Sequence, residues 1–151
     1  MHNQLSQNNL WSVFNSTSSR LNQKLYTNIR ASFNIHHSWF DVLKALYFAP
    51  DYKLKMNEIA ERAVMSGSGL TRLIDRMIEA GFIVRELSSS DRRVVEAVLT
   101  DAGKQKIEEI LPKYQEWVQQ LFLEHLSQDE AETLASIFEN CLTRLNNLDS
   151  K

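Results

Sequence analysis

Between Leu70 and Leu99 the chain changes from a helical to an extended hydrophobic pattern, and this order constrains its fold more than any other feature. Leu70, Leu73, Ile74, Met77 and Ile78 stand at i, i+3, i+4, i+7 and i+8, the one-sided stripe of an amphipathic helix. The other face carries Ser68, Thr71, Arg72, Asp75 and Arg76, and Gly81 stands where a helix stop is expected. Phe82 to Leu87 and Val94 to Leu99 are rich in the branched and apolar residues favoured in strands, with a polar turn from Ser88 to Arg93 between them. Upstream, Asn57 to Val64 holds Ile59, Ala60 and Ala63 in a short helical pattern that allows a second helix to cross closely, and Met65 to Gly69 breaks it. Helix, turn, amphipathic helix and hairpin in this order predict a winged helix-turn-helix.

The polar residues of this unit suit a duplex. Ser66, Ser68, Gly69 and Thr71 open the second helix with small side chains, letting the backbone approach closely and offer free amides to a phosphate. Arg72 and Arg76 have the reach for base edges or phosphates, and Asp91, Arg92 and Arg93 place two adjacent arginines on a hairpin tip able to enter a minor groove. An amphipathic helix with two arginines also occurs in many proteins that never touch nucleic acid, so the order of elements carries the argument. The net charge of -2 points away from a phosphate partner until its distribution is considered. Residues 1–99 carry 12 Lys and Arg against 9 Asp and Glu, whereas residues 100–151 carry 5 against 10.

Outside this unit the chain reads as helix. Leu10, Phe14, Thr17, Leu21 and Leu25 recur at steps of three or four, predicting a helix over about 6–31. After a break at Phe33 to His37, a second helix starts with Ser38 as its N-cap and ends before Pro50. Ile107, Ile110, Leu111, Tyr114, Val118, Leu121 and Phe122 mark a helix kinked at Pro112. Ser127 and Glu130 stand in capping-box spacing before a last helix, whose buried side is expected to hold Leu134, Ile137, Cys141, Leu145 and Leu148. The predicted fold is therefore mainly α with a small β-hairpin wing, one domain over 1–151 with its winged helix-turn-helix at about 38–100. The helices at about 6–31 and 101–148 bury little in one copy and form a dimerisation region.

The span LTRLIDRMIEAGFIVRELSSSDRRVVEAVLTDAG, Leu70 to Gly103, resembles the MarR family of transcriptional regulators. It carries that family's pattern of an aspartate, any residue, an arginine, five residues, Leu-Thr and then a glycine, here Asp91, Arg93, Leu99, Thr100 and Gly103. The resemblance implies that Arg93 is the wing-tip arginine and that Asp91 holds the wing in shape by pairing with a neighbouring arginine. It also implies a homodimer on a pseudo-palindromic double-stranded operator, with half-sites about 34 Å apart, repressing a promoter until a small aromatic acid or phenol releases it. Phe14, Arg20, Ile35, His36, Trp39 and Phe40 are the candidate walls of the effector pocket, with Arg20 or His36 facing a carboxylate and aromatic rings burying a flat ligand. Ordinary core packing is the competing reading of the same six.

Other classes find little support. The chain has no Gly-x-Ser-x-Gly elbow, no phosphate-binding glycine loop and no His-Glu-x-x-His, so an enzyme is not expected. A purely structural helical module would not need the wing motif. No cofactor and no metal are expected, since His2, His36, His37 and His125 lack ligand spacing. Cys141 has no cysteine partner and lies on an apolar stripe, where a buried thiol behaves as a small hydrophobe. A metal-sensing or cysteine-based oxidant-sensing regulator of the same fold is the alternative. No apolar run approaches the roughly 20 residues that span a bilayer, and Met1 to Asn9 lacks the character of a signal peptide, so no membrane and a cytoplasmic location are expected.

Overall fold

In the computed structural model, residues 7–63, 66–89 and 91–149 are described; Met1, His2, Val64 and Met65, named above, lie outside them, as do positions 6 and 90 of the ranges given there. Six helices and three strands follow in the order α1 (Gln7–Phe33), α2 (His37–Tyr47), β1 (Lys53–Lys55), α3 (Met56–Arg62), α4 (Gly67–Glu79), β2 (Ile83–Leu87), β3 (Val95–Leu99), α5 (Asp101–Leu121) and α6 (Gln128–Asp149) among the described residues. The α4 stripe buries Leu70, Leu73, Ile74 and Met77 as its period requires. Gly81, at φ 80°, ends the helix, and the Phe82 N–H returns to the Met77 carbonyl at 3.0 Å, a left-handed stop that favours glycine.

Two local expectations change. The N-cap of α2 is His36 and not Ser38: the His36 Nδ1 accepts the Ser38 backbone N–H at 3.3 Å and lies 2.7 Å from the Ser38 Oγ. An imidazole nitrogen here fills the acceptor role that a hydroxyl or carboxylate usually takes. The wing is also broader than a hairpin. Lys53–Lys55 pairs antiparallel with β3 in register Leu54↔Ala97, giving a sheet of order β1-β3-β2.

The chain divides into two compact units, one ending at Tyr114 and the other beginning at Gln115. The first has a core around Ile29, Phe40, Leu43, Leu46, Ile59 and Ile107, all fully buried. Its last helix is fastened at Thr100. The Thr100 Oγ1 donates to the Gly81 carbonyl at 2.7 Å and accepts the Gly103 N–H at 3.1 Å, while the Thr100 N–H donates to the Phe82 carbonyl at 3.0 Å. A Cβ on Gly103 would run into that Phe82 oxygen and lie 2.6 Å from the Leu99 Cδ1. Close approach therefore requires the glycine of the Leu-Thr-x-x-Gly motif. The α5 helix continues through Pro112 to Leu121.

In the second unit Ser127 and Glu130 cap α6 reciprocally: the Ser127 N–H donates to Glu130 Oε2 at 2.8 Å and the Glu130 N–H to Ser127 Oγ at 3.3 Å. The stripe beyond is not buried. Ile137, Leu145 and Leu148 are exposed, and so is Cys141, expected above as a buried thiol. An apolar stripe is buried only when another surface covers it, and one chain supplies none for these residues.

Candidate nucleic-acid interface

The start of α4 is bare. Ser66, Gly67, Ser68 and Gly69 are exposed, Ser66 makes no capping side-chain hydrogen bond, and a Cβ on Gly67 would meet nothing within 4 Å. Amides of a first helical turn lack intrahelical partners, so this end offers donors and a partial positive charge to an anion. Thr71, Arg72 and Arg76 are exposed along the next turns, with the arginines one turn apart. Asp75, on the same polar side, is not free: its Oδ1 lies 2.8 Å from the Arg85 Nη1 on β2.

The wing tip departs from expectation in one contact. Asp91 Oδ1 accepts the backbone N–H of Arg93 at 3.0 Å, and the Val94 N–H donates to the Asp91 carbonyl at 2.9 Å. The aspartate thus shapes the turn through the backbone and not by pairing with an arginine side chain, because a short carboxylate reaches the amide two residues on more readily than a guanidinium. Arg92 and Arg93 are left exposed.

The six residues put forward for an effector do not converge. Ile35 and Phe40 are buried, and the Phe40 ring packs 4.8 Å from that of Tyr114. Trp39 is half-buried, edge-on to Phe82 at 5.9 Å. Phe14 is exposed beside Trp11, and Arg20 is exposed. His36 borders a cleft of about 420 Å³, whose walls are Ser19, Asn22, Gln23, Tyr26, Thr27 and Arg30 of α1 with His36 and His37. The α1 members recur at i, i+3, i+4, i+7, i+8 and i+11, a polar stripe that periodicity alone would have revealed.

One cation, Arg30, lies in the wall of this cleft. The Tyr26 hydroxyl donates to Asp41 Oδ2 at 3.2 Å and its ring stacks on His37 at 4.7 Å. Burial first, and the Asp41 charge second, push the Tyr26 phenol up to about 12. Burial also raises the Asp41 carboxyl above its usual range. Burial, then the neighbouring His37 and Arg30, lower His36. Arg30 and two imidazoles thus border the opening, with the carboxylate engaged by Tyr26. Among the described residues no group of three or more His, Cys, Asp or Glu is placed to hold a metal ion, and no helix is long and apolar enough to cross a membrane.

Residues 33–94 match a family model described as MarR family. The HTH-type transcriptional repressor YetL of Bacillus subtilis is 27% identical over 71% of this chain, a stretch covering 64% of its own length. Among solved structures, Sco3205, a MarR family transcriptional regulator from Streptomyces coelicolor in complex with DNA, superposes with a TM-score of 0.80 at 24% identity, covering 90% of this chain and 88% of its own. BpsR of Bordetella bronchiseptica, whose DNA binding is regulated by 6-hydroxynicotinic acid, gives a TM-score of 0.74 at 18% identity, covering 93% and 96%.

Proposed function

Because this chain belongs to the MarR family, and is a DNA-binding transcriptional regulator and not an enzyme, we propose that it represses a promoter as a homodimer bound to a pseudo-palindromic operator. The observation that carries the docking is the uncapped, glycine-bearing start of α4 followed by exposed Arg72 and Arg76. In this reading Ser66, Ser68, Gly69 and Thr71 meet phosphates, Arg72 and Arg76 meet bases or phosphates, and Arg92 and Arg93, on a turn shaped by Asp91, enter the flanking minor groove. The DNA-binding part spans about 38–100. Exposed apolar residues on α1 (Leu10, Trp11, Val13, Phe14) and α6 (Ile137, Leu142, Leu145, Leu148) support a dimer made by the helices at about 6–31 and 101–148, since a monomer rarely leaves such stripes in water. Two copies then set α4 helices about 34 Å apart. The setting is the cytoplasm, where the promoter is.

The test is enrichment of duplexes from a random-sequence library by the purified protein. A pseudo-palindrome is expected, and Arg72→Ala should cost about 1–3 kcal/mol per contact and relax one position of each half-site if it reads a base. Enrichment of only unrelated sequences would sink the operator reading.

A second reading concerns release. The cleft beside His36 has one cation at its border, Arg30, and imidazole N–H donors beside it, which favours a small aromatic carboxylate, the chemical class of the ligand that regulates BpsR. The ligand acts by favouring a spacing of the two DNA-binding parts that misses successive grooves. Salicylate, benzoates and hydroxycinnamates, screened for release of the enriched duplex, should act less well on Arg30→Ala and His36→Ala than on Arg20→Ala. Equal sensitivity of all three variants would move the ligand elsewhere.

A further inference from the structure

The polar face of α4 contains a carboxylate that DNA docking does not explain. Asp75 stands three residues after Arg72 and immediately before Arg76, among the exposed side chains of α4 that suit phosphates. An unpaired carboxylate so close to a duplex backbone repels it. The partner Asp75 has found is neither of those arginines but Arg85, at 2.8 Å, on β2.

The position of Arg85 along the wing gives that contact a second consequence. Alternate residues of a strand share a face, so Ile83, Arg85 and Leu87 lie on one side of β2. Ile83 is buried and pairs in register with buried Leu99; Arg85 pairs with buried Ala97; Leu87 and its partner Val95 are exposed. Arg85 therefore sits where the wing leaves the body, and its side chain crosses to α4. From there to the turn is about four residues, roughly 13 Å at 3.3 Å per residue, so a tilt of about 10° at Arg85 moves the tip by about 2 Å. That displacement separates a hydrogen-bonded arginine from a phosphate.

We propose that Arg85 is a positioning residue for DNA binding, whose ion pair with Asp75 masks the carboxylate standing between Arg72 and Arg76 on α4 and braces the wing at the angle from which Arg92 and Arg93 reach DNA. Arg85 thus differs from Arg72, Arg76 and Arg93: it acts through Asp75 and touches no phosphate. A half-exposed ion pair contributes little to folding, so the melting temperature should not report this role, whereas DNA affinity should.

The inference rests on the docking of α4 and the wing proposed above, and the experiment separates the two. The probe is the duplex enriched by the unmodified protein from a random library. Arg85→Gln, Asp75→Asn/Arg85→Gln, Arg72→Ala and Arg93→Ala are compared for affinity, salt dependence and hydroxyl-radical protection of the flanks. Arg85→Gln should weaken binding roughly fivefold and fade the flanking protection at an unchanged melting temperature. The double variant has no carboxylate at position 75 to repel the backbone, but its glutamine is two bonds shorter than arginine and leaves the wing unbraced. It should therefore recover part of the affinity lost in Arg85→Gln while the flanking protection stays weak. Unchanged affinity in Arg85→Gln overturns the proposal. So does a double variant as weak as Arg85→Gln with a salt slope lower by about one per subunit, which would make Arg85 a phosphate contact. Full affinity in Arg72→Ala and Arg93→Ala would overturn the docking, and the brace with it; losses in those two without recovery in the double variant would overturn the brace alone.

Discussion

Replacing Gly103 by alanine puts a methyl group where the first turn of α5 crosses the chain leaving α4. The new Cβ would run into the Phe82 carbonyl oxygen and sit 2.6 Å from the Leu99 Cδ1. The leucine can rotate away; the carbonyl is backbone, held by the Thr100 N–H at 3.0 Å, and cannot move without loosening that bond. Forced overpacking costs about 1–3 kcal/mol, and a weakened buried hydrogen bond adds up to about 1 kcal/mol. Against this, alanine is better than glycine inside a helix by about 1 kcal/mol. The net expectation is a loss of about 2 kcal/mol, or some 4–8 °C in Tm for a chain of this length. Thermal unfolding followed by circular dichroism at one fixed protein concentration measures it, because dimerisation makes Tm concentration-dependent. A Tm equal to or above that of the unmodified protein would refute the reasoning, since only the helix-propensity gain would then remain.

Arg93→Ala should weaken operator binding and lower the slope of log affinity against log salt by about one per subunit, with the fold intact by circular dichroism. Leu145→Asp, on the exposed α6 stripe, should give monomers or unfolded chain by light scattering where the unmodified protein gives dimers; a stable monodisperse monomer of the unmodified protein would end the dimer reading. Asp41 holds its proton more tightly folded than unfolded, so its contribution to stability is full below the ordinary carboxylate range and is lost as pH rises through the raised folded value. Asp41→Asn, which retains an oxygen for the Tyr26 hydroxyl, should therefore raise stability at about pH 7 by less than about 1 kcal/mol after solvent screening, and should make no difference near pH 3. A gain of the same size at both pH values would contradict the assignment.

Periodicity made α4 legible, because five apolar residues at helical spacing have only one face to bury. It could not reveal β1, where Lys53, Leu54 and Lys55 supply one apolar residue and the pairing partner is more than 40 residues away. Nor could it find the Asp75–Arg85 contact, which joins a helix to a strand across a turn and belongs to no single repeat. The α6 stripe was read correctly as apolar, yet Cys141 is exposed, because a pattern states which residues seek cover and not what covers them. The cleft beside His36 follows a different pattern from the aromatic and aliphatic walls expected there: the α1 residues bordering it are polar at helical spacing. Phe40 and Ile35, chosen for their apolar character, lie in the core for that reason.

The helix cap at His36 fixes which of its two nitrogens carries the proton. A ring nitrogen that accepts the Ser38 N–H must be bare, so the neutral imidazole is the Nε2–H tautomer. The ring therefore presents a donor at Nε2 without bearing any charge, and a carbonyl or carboxylate near it can be met at neutral pH although His36 titrates below the usual histidine range. Acidification has the opposite effect on the helix. A second proton would take the lone pair that caps α2, at a cost of about 1 kcal/mol to its first turn, so local acid fraying of α2 at its junction with α1 should accompany imidazolium formation.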